Sequence, residues 1–458
     1  MVASRDADTV LAGRTHERLR QHYKGVPIVG ADVTRQIKDG VTVSMFGTIH
    51  PGVDLDTVPA VSADEASRVV ARRTRAHVPA GRALDLVILP MDDGRYALAW
   101  QAEARSATDV RACFVDALTG DVLLDYSNLK TQQARVGRPA PRVEVMDIKG
   151  DVARTTMAVG GSVAQATGAV GFAGTGAEAV PEDAAVIAAR AGVEATRQYF
   201  LRRFGRFALD DRDVPVPVLV HPVSLAEWDR LGATHGVYFA GAFWDGRMIV
   251  LGEGTPQGTL VAGREWANAS LALDVIAHEL THGVADVSPG FIYRNESGAL
   301  AEAFADIMGT AVEFASQPAG QGPGKADYLV GEDATSGGVR SLDNPEAHGH
   351  PDHDSRRTTD LADNGGVHAN STIVSHAYYL AVEGGTNRTS GLTVGGVGAA
   401  NREQIEKVFF RAFVYLLPSS ATFEAARAAT VQSARDLYGE SSAAQRAVIQ
   451  AWDSVGVK

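Results

Sequence analysis

The segment His278-Glu279-Leu280-Thr281-His282 constrains the fold of this chain more than any other feature. On an α-helix, residues four apart lie on one face about one turn from each other, so both imidazoles can reach a single metal ion. Glu279 points to the adjacent edge of the helix, where its carboxylate can contact a metal-bound water. The preceding residues, 273–277, are too apolar for a helix that faces solvent. The pattern therefore predicts a buried helix that carries two metal ligands, rather than two surface histidines beside a glutamate.

A third ligand candidate lies on the next predicted helix. A catalytic zinc ion needs three protein ligands and one open position. Glu302 comes 20 residues after His282, which leaves room for a turn that brings a second helix alongside the first. Asp306 follows one helical turn later and can accept the outer N–H of a ligand histidine. Either carboxylate alone could be a solvated helix residue. Together with the first helix, they predict a zinc site formed by His278, His282 and Glu302.

The formal net charge of −12 is unevenly distributed along the 458 residues. Residues 1–133 carry 16 basic and 17 acidic side chains, so nearly all of the acidic excess lies beyond them. This balance argues against nucleic acid as a partner and suits the binding of divalent cations. Cys113 is the only cysteine, which excludes an internal disulfide and a thiolate metal cluster. Any metal must therefore be held by His, Asp or Glu.

The length predicts about three domains with large cores. No run of ~18 uncharged apolar residues occurs, so we expect no membrane span. Met1–Arg20 is polar and charged, and we expect no signal peptide there. The polar segment Thr131–Pro141 is a candidate domain boundary. The segment Ala158–Ala179, rich in Gly, Ala, Ser and Thr, could be either a linker or loop-rich β-structure.

Alternation of apolar residues and turn signals predict a small antiparallel sheet with one helix in residues 1–133. The predicted helix is Ala63–Thr74, and the predicted strands are Val41–Phe46, Leu86–Leu89, Tyr96–Trp100, Ala112–Val115 and Val122–Leu124. Beyond residue 133, helical spacing marks Asp183–Phe204 and dominates from about Leu271 onward. The predicted helices there are Asp183–Phe204, Leu271–Val287, Gly298–Ser316, Ser371–Glu383, Arg402–Leu416, Phe423–Tyr438 and Ser442–Val455.

Three separated motifs, HELTH, IYRNESGALAEAFAD and DNGGVHANS, closely resemble the thermolysin family of metallopeptidases. The resemblance runs from about Ala184 to Lys458, with weaker similarity in GAFWDG and AVIQAWDSVGVK. It implies an α+β fold and a zinc endopeptidase. The catalytic domain would have a β-rich N-terminal lobe at 134–270 and a mostly helical C-terminal lobe at 271–458, with the zinc helix in the cleft between them.

The same resemblance implies roles for residues around the metal. Glu279 matches the general base, His368 and Tyr293 match hydrogen-bond donors to the developing oxyanion, and Asp363 would orient His368. Arg340 resembles the arginine that binds the substrate carbonyl. Each has a simpler reading: His368 as a loop histidine, Tyr293 as a core aromatic, Asp363 as a turn residue and Arg340 as a surface residue.

Substrate binding is also implied by the resemblance. The family has an asparagine where this chain has Gly241, so that amide contact is lost, at a cost of ~0.5–1.5 kcal/mol. The backbone of Ala242 can still pair with an extended substrate. An apolar pocket would then accept Leu, Ile or Phe on the amine side of the cleaved bond. Its lining would be Val275, Val330, Val339 and Trp266.

Calcium ligands follow from the resemblance as well. We expect one or two structural calcium ions, because hard cations bind clustered oxygen ligands. The alternative is a scattered acidic surface. The residues that match family ligands are Asp274, Glu313, Asp327, the carbonyl of Leu329, and Glu332.

Residues 1–133 resemble propeptide modules. His16–Ala31 is similar to the fungalysin and thermolysin propeptide, and Tyr96–Trp100 with Phe114–Val122 is similar to a PepSY-type module. The resemblance implies a precursor whose small α+β propeptide covers the cleft as an intramolecular inhibitor and helps the catalytic domain to fold. Such precursors cut themselves, and a separate β-rich binding domain is the alternative.

Two other functions compete with an endopeptidase acting on proteins and peptides. A zinc aminopeptidase should carry a Gly-x-Met-x-Asn motif before the zinc helix, and the sequence has none. A silent binding or inhibitory protein on the same fold should have lost Glu279 or a ligand, and both are retained. We expect a monomer that is secreted, as family members usually are.

Overall fold

The computed structural model describes residues 1–74, 84–130, 143–160, 183–207, 209–212 and 216–458. The predicted boundary at Thr131–Pro141 and the part of the glycine-rich segment from 161 onward lie outside these residues. Within the described part of the chain, no helix is long and apolar enough to span a membrane.

The first part of the chain forms one large sheet, in the order β1-β2-β3-β5-β6-β7-β8, with β4 paired to β3. All pairings are antiparallel except the single parallel contact of Ile28 with Ile88 that joins β3 to β5. The strands are β1 Val2–Ala7, β2 Thr15–Tyr23, β3 Val26–Lys38, β4 Val41–Gly47, β5 Asp85–Pro90, β6 Tyr96–Arg105, β7 Val110–Asp116 and β8 Val122–Ser127. Helix α1, Ala63–Thr74, packs against β6 and β7.

The sheet is larger than predicted, because β1, β2 and β3 were not found from the sequence. Their inward face is partly polar: His16, Thr34 and Gln36 are all buried. Period-2 alternation of apolar and polar residues is the signal for a half-buried strand. Here polar side chains occupy the buried positions, so the alternation is hidden.

This sheet docks on the last third of the chain through polar contacts. The Asp8 carboxylate lies 2.7 Å from Arg411 Nε and 2.9 Å from His16 Nε2. Arg411 also donates to Asp436 Oδ2 at 3.0 Å and to the Gln36 side chain. Because Arg411 and Asp8 have fully buried side chains, they form a buried ion pair that joins the first and last parts of the chain.

A second sheet has the order β11-β12-β10-β9. Its strands are β9 Val143–Asp147, β10 Val216–Val220, β11 Ala242–Trp244 and β12 Ile249–Leu251. Strand β10 is parallel to β9 and β12, whereas β11 is the antiparallel edge strand. Helices α2 Val152–Val159, α3 Ala184–Phe204 and α4 Trp228–His235 accompany it. The lobe is therefore strand-rich but not purely β.

The remaining helices are α5 Leu273–Val287, α6 Asn295–Ser316, α7 Val367–Glu383, α8 Arg402–Arg411, α9 Phe423–Tyr438 and α10 Ala443–Ser454. Short strands β13 Leu329–Val330, β14 Arg340–Ser341, β15 Gly385–Thr386 and β16 Thr393–Val394 form two hairpins. Helices α5 and α6 approach closely, since a Cβ at Gly309 would lie 2.7 Å from the carbonyl oxygen of Asp274. This contact aligns the two helices that carry the predicted zinc ligands.

Four predicted helix bounds are wrong by two residues or more, and the others agree within one residue. Helix α5 begins at Leu273 because Ala269–Leu271 forms a 3₁₀ turn capped by Asn268. Helices α6 and α7 begin earlier than predicted, at Asn295 and Val367. The predicted helix 402–416 is α only to Arg411 and continues as a π-helix, Ala412–Leu416.

Candidate active site

Helices α5 and α6 bring the three predicted zinc ligands together. The two Nε2 atoms of His278 and His282 are 3.0 Å apart, and Glu302 has Oε1 3.2 Å from His282 Nε2 and Oε2 3.6 Å from His278 Nε2. A tetrahedral zinc ion with bonds of ~2.0–2.1 Å holds its ligand atoms about 3.3 Å apart. Oε2 of Glu302 is buried and, among the described residues, has no hydrogen-bond partner. These residues therefore fit a zinc ion.

The protonation of the site also suits a cation. Burial, together with the nearby Lys130 charge, lowers the pKa of His282 to about 3, so its imidazole is neutral as a ligand must be. Burial opposes ionisation of Glu302, but the charges of Lys130 and His368 hold the pKa of this carboxylate well below its usual range. The site thus presents the neutral imidazole of His282 and the carboxylate of Glu302 to a single point.

Asp306 lies next to the ligand His278, and Arg340 binds Asp306. Asp306 Oδ1 lies 2.9 Å from His278 Nδ1, which leaves Nε2 of that imidazole facing the ligand point. Arg340 grips the same carboxylate with Nε at 2.8 Å and Nη2 at 2.7 Å. Although burial opposes it, the Arg340 charge keeps the pKa of Asp306 far below its ordinary value. Asp306 is therefore an anion that lies beside His278 Nδ1.

Glu279 lies beside the ligands. It is only 4 % exposed, and its Oε2 atom has no hydrogen-bond partner in the described part of the chain. His278, Glu279 and His282 each offer an atom within 4.8 Å of the others. Burial raises the pKa of Glu279. A buried carboxylate with a raised pKa, next to a metal site, has the proton affinity that a general base needs.

Tyr293 and His368 lie beside Glu302, and Asp363 contacts His368. His368 Nδ1 lies 2.6 Å from Asp363 Oδ1, and the His368 backbone N–H donates to Asp363 Oδ2 at 3.0 Å. The Tyr293 hydroxyl donates to Glu302 Oε1 at 2.5 Å and lies 3.3 Å from His368 Nε2. Burial opposes ionisation of Asp363, but the hydrogen bond from His368 lowers its pKa. The imidazole is thus fixed with Nε2 directed into the site.

Sequence reasoning missed Lys130, which reaches the same point. Its ammonium contacts Glu302 Oε1, lies 3.2 Å from His368 Nε2, and sits 5.5 Å from the centroid of the Tyr293 ring. Lys130 is 172 residues from Glu302 in the chain, so no local pattern could have pointed to it.

The predicted substrate residues lie on two surfaces. Ala242 begins the edge strand β11, directly after Gly241, whose φ of 99° is one that glycine adopts freely. A Cβ placed at Gly241 would lie 3.9 Å from the ring of Trp266, so Trp266 flanks this strand.

The predicted pocket valines lie around Gly331. A Cβ there would lie 3.4 Å from a Val275 methyl and 3.9 Å from a Val339 methyl. Val330 precedes Gly331 and pairs with Arg340 across the β13–β14 hairpin. This hairpin therefore carries both an apolar wall and the arginine that grips Asp306.

An acidic cluster lies beyond the first turn of α5. Carboxylate oxygens of Glu313, Glu332 and Asp333 converge within 4.8 Å of one another. Both oxygens of Glu313, both of Glu332 and Oδ1 of Asp274 are buried without a hydrogen-bond partner among the described residues. Burial and the charges of Asp274 and Glu332 raise the pKa of Glu313. The carboxylate oxygens of Glu313, Glu332 and Asp274 that lack donors fit a hard cation.

Asp333 belongs to this cluster, although it is not among the predicted calcium ligands. Asp327 lies at its edge, where its Oδ1 accepts the Leu329 backbone N–H at 2.7 Å. Burial raises the pKa of Asp327.

Two neighbouring helices bring two histidines and a glutamate to one point, and a buried carboxylate lies beside them. This arrangement is typical of zinc metallopeptidases. Residues 123–286 match the thermolysin metallopeptidase catalytic domain, residues 289–457 match the thermolysin metallopeptidase alpha-helical domain, and residues 3–49 match the fungalysin/thermolysin propeptide motif. The chain belongs to the thermolysin family of zinc metalloendopeptidases and carries a propeptide.

Individual relatives agree. The chain is 31 % identical over 489 residues to thermolysin of Alicyclobacillus acidocaldarius subsp. acidocaldarius, covering 97 % of this chain and 84 % of that protein. It is 30 % identical over 490 residues to the thermostable neutral protease NprT of Geobacillus stearothermophilus, with the same coverage. The fold is similar to the precursor of protealysin, a metalloproteinase from Serratia proteamaculans, with a TM-score of 0.51 at 24 % identity over 72 % of this chain and 92 % of that one.

Proposed function

We propose that this chain hydrolyses internal peptide bonds with Glu279 as the general base. The observation that carries the proposal is the convergence of His278, His282 and Glu302 beside the buried Glu279 carboxylate. A zinc ion bound there supplies Lewis acidity toward the scissile carbonyl and toward water. Glu279 accepts the proton of the attacking water and delivers it to the leaving amine nitrogen. Its raised pKa supports both transfers.

His368 and Tyr293 stabilise the oxyanion. His368 Nε2 and the Tyr293 hydroxyl are 3.3 Å apart and face the same point, so both can donate to one oxygen. Asp363 holds the imidazole in place. Arg340 has five N–H groups and uses only some of them on Asp306, which leaves others for a substrate carbonyl.

Substrate binds as an added strand on the β11 edge at Ala242. The side chain on the amine side of the cleaved bond enters the space near Val275, Val330 and Val339, with Trp266 flanking the strand. An apolar wall of medium-sized residues favours Leu, Ile or Phe there, because burial is worth ~0.8 kcal/mol per CH₂ group.

The domain limits that we propose are 1–133 for the propeptide, 134–270 for the strand-rich catalytic lobe and 271–458 for the helical lobe. The propeptide inhibits the catalytic domain within the same chain. One catalytic zinc ion is joined by one or two structural calcium ions held by Asp274, Glu313, Glu332 and Asp333, with Asp327 and the Leu329 carbonyl at the edge. The active form is secreted and monomeric.

Digestion of azocasein by the wild type and by Glu279→Gln, with and without a chelator, tests the proposal. Glu279→Gln should bind zinc and stay folded, yet lose nearly all hydrolysis. Glu424→Gln makes the same change at an exposed residue and should keep full activity. Retention of a tenth of wild-type turnover by Glu279→Gln would exclude it as the base. Release of single amino acids without internal cuts would instead indicate an aminopeptidase.

His278→Ala and Glu302→Ala test the ligand assignment. Each removes a ligand atom from a three-ligand site, so the purified variants should contain no zinc by elemental analysis. Full zinc occupancy in either variant would show that the metal is held elsewhere.

A further inference from the structure

The segment that leads from β8 into the cleft is held on both sides. The Ser127 carbonyl accepts a hydrogen bond from Asn364 Nδ2 at 2.9 Å, and the Ser127 hydroxyl donates to Asp109 Oδ1 at 2.7 Å. The Asn128 backbone N–H donates to the Val110 carbonyl at 2.5 Å. Leu129 packs against the buried cluster of the strand-rich lobe. The segment 127–130 therefore enters the cleft along a fixed path, and Lys130 lies at its inner end.

The Lys130 side chain is almost completely enclosed, with 12 % of it exposed. Its ammonium contacts Glu302 Oε1 and His368 Nε2 and lies above the Tyr293 ring. An ammonium group has three N–H donors and no acceptor. One cation thus contacts a proposed zinc ligand and the oxyanion donor His368 at once, and lies over the ring of Tyr293, the other proposed donor.

Lys130 and zinc require the same atoms. Glu302 Oε1 faces both the Lys130 ammonium and His282 Nε2, which is 3.2 Å away. A zinc ion must lie about 2.0–2.2 Å from a carboxylate oxygen. Two cations at such separation repel strongly in a buried site, since unit charges 4 Å apart interact by ~4 kcal/mol even at an effective dielectric constant of 20.

The position of Lys130 also opposes catalysis. Its ammonium lies at the point where His368 and Tyr293 would bind a carbonyl oxygen. The segment therefore blocks the cleft with a side chain, and substrate can enter only after Lys130 leaves.

We propose that the Lys130 ammonium and zinc are alternative occupants of one ligand set, so that Lys130 keeps the precursor latent and zinc loading expels segment 127–130 from the cleft. The proposal rests on the zinc site of the proposed function and names how that site is regulated.

The first test measures zinc affinity by competition with a chromogenic chelator. The whole chain is used in the Glu279→Gln background, where it cannot cut itself. Lys130→Met removes the charge with little change of volume and should raise zinc affinity at least tenfold. Lys38→Met makes the same change at an exposed position at the end of β3 and should leave affinity unchanged. Equal affinities for the parent, Lys130→Met and Lys38→Met would overturn the proposal.

The second test follows Lys130 directly by acylation of lysine amines and peptide mass spectrometry. In the zinc-free Glu279→Gln chain, Lys130 should be protected while Lys38 is labelled. Zinc should expose Lys130 to labelling, but not in a chain that also carries His282→Ala, which keeps Glu302 and loses a ligand. Unchanged protection of Lys130 on zinc binding would refute the displacement. If no chain binds zinc, the proposed function itself fails, so the two failures are distinguishable.

Discussion

Replacement of Asp8 by Ala should loosen the first sheet from the helical lobe. The Asp8 carboxylate receives Arg411 Nε at 2.7 Å, His16 Nε2 at 2.9 Å, and the backbone N–H groups of Val10 and Leu11 at 3.0 and 2.9 Å. Its removal leaves Arg411, whose side chain is fully buried, without its closest counter-charge. Deleting one partner of a buried ion pair costs ~3–5 kcal/mol. Arg411 still contacts Asp436 at 3.0 Å, so we expect the lower end, about 3 kcal/mol.

The assay is hydrogen–deuterium exchange in the intact Glu279→Gln chain, followed at backbone amides of β2 and β3. A loss of about 3 kcal/mol corresponds to roughly a 10²-fold larger opening constant. Asp6→Ala is the matched control, because Asp6 lies two residues earlier and is exposed. Asp8→Asn keeps the shape and removes only the charge, and it should reproduce most of the effect. If Asp8→Ala raised the opening constant by less than threefold over Asp6→Ala, the ion pair would not anchor the sheet.

Three further predictions address metal binding and pH. Asp306→Ala removes the acceptor beside His278 Nδ1 and should weaken zinc binding about 10–100-fold in chelator competition; unaltered affinity would contradict the orienting role. The pKa of Glu313 is raised in the folded chain, so without calcium the native state binds more protons than the unfolded state, and stability should fall as pH rises above about 4.5. Excess calcium should abolish this fall in thermal melts, and a pH-independent midpoint with a calcium chelator would count against the site. A hydrogen bond to Glu253 raises the pKa of His221 to about 9. The stabilisation of the folded state by this histidine is therefore complete below about pH 6.5 and is lost as the pH rises through 9. His221→Asn, at a φ of 52° that Asn tolerates, should cost about 1–2 kcal/mol at pH 6, allowing for partial exposure, and almost nothing at pH 9.5 in urea unfolding.

Local patterns predicted the elements whose buried face is apolar and whose ends are capped. Helix α1 has its predicted bounds, since Ser62 and Glu65 form a reciprocal cap in which Ser62 N–H donates to Glu65 Oε2 at 2.9 Å and Glu65 N–H donates to Ser62 Oγ at 3.3 Å. Strands β1 to β3 were not predicted because their inward side chains are polar. These side chains find their hydrogen-bond partners in helix α8 and the following π-helix. No pattern within the strands encodes that partner.

In the candidate site, too, some residues could be predicted from local spacing and others could not. His278, His282, Glu302 and Asp306 follow helical spacing on two neighbouring helices, so their convergence could be inferred from the sequence. Lys130 arrives from a different part of the chain, and its position depends on how the first sheet docks. Contacts of this kind arise from tertiary structure and leave no trace in spacing.

The ion pair between Asp8 and Arg411 joins residues that are 403 positions apart. At ~5–20 residues per second, Arg411 leaves the ribosome about 20–80 s after Asp8. During that interval the first sheet must exist without the surface it later covers. An apolar docking face would invite aggregation over such a time, whereas Asp8, His16 and Gln36 can remain hydrated until their partner is made. The polar character of this face therefore suits the order of synthesis. The side of the interface that belongs to the first sheet stays hydrated, and it becomes buried only when the last helices have been translated.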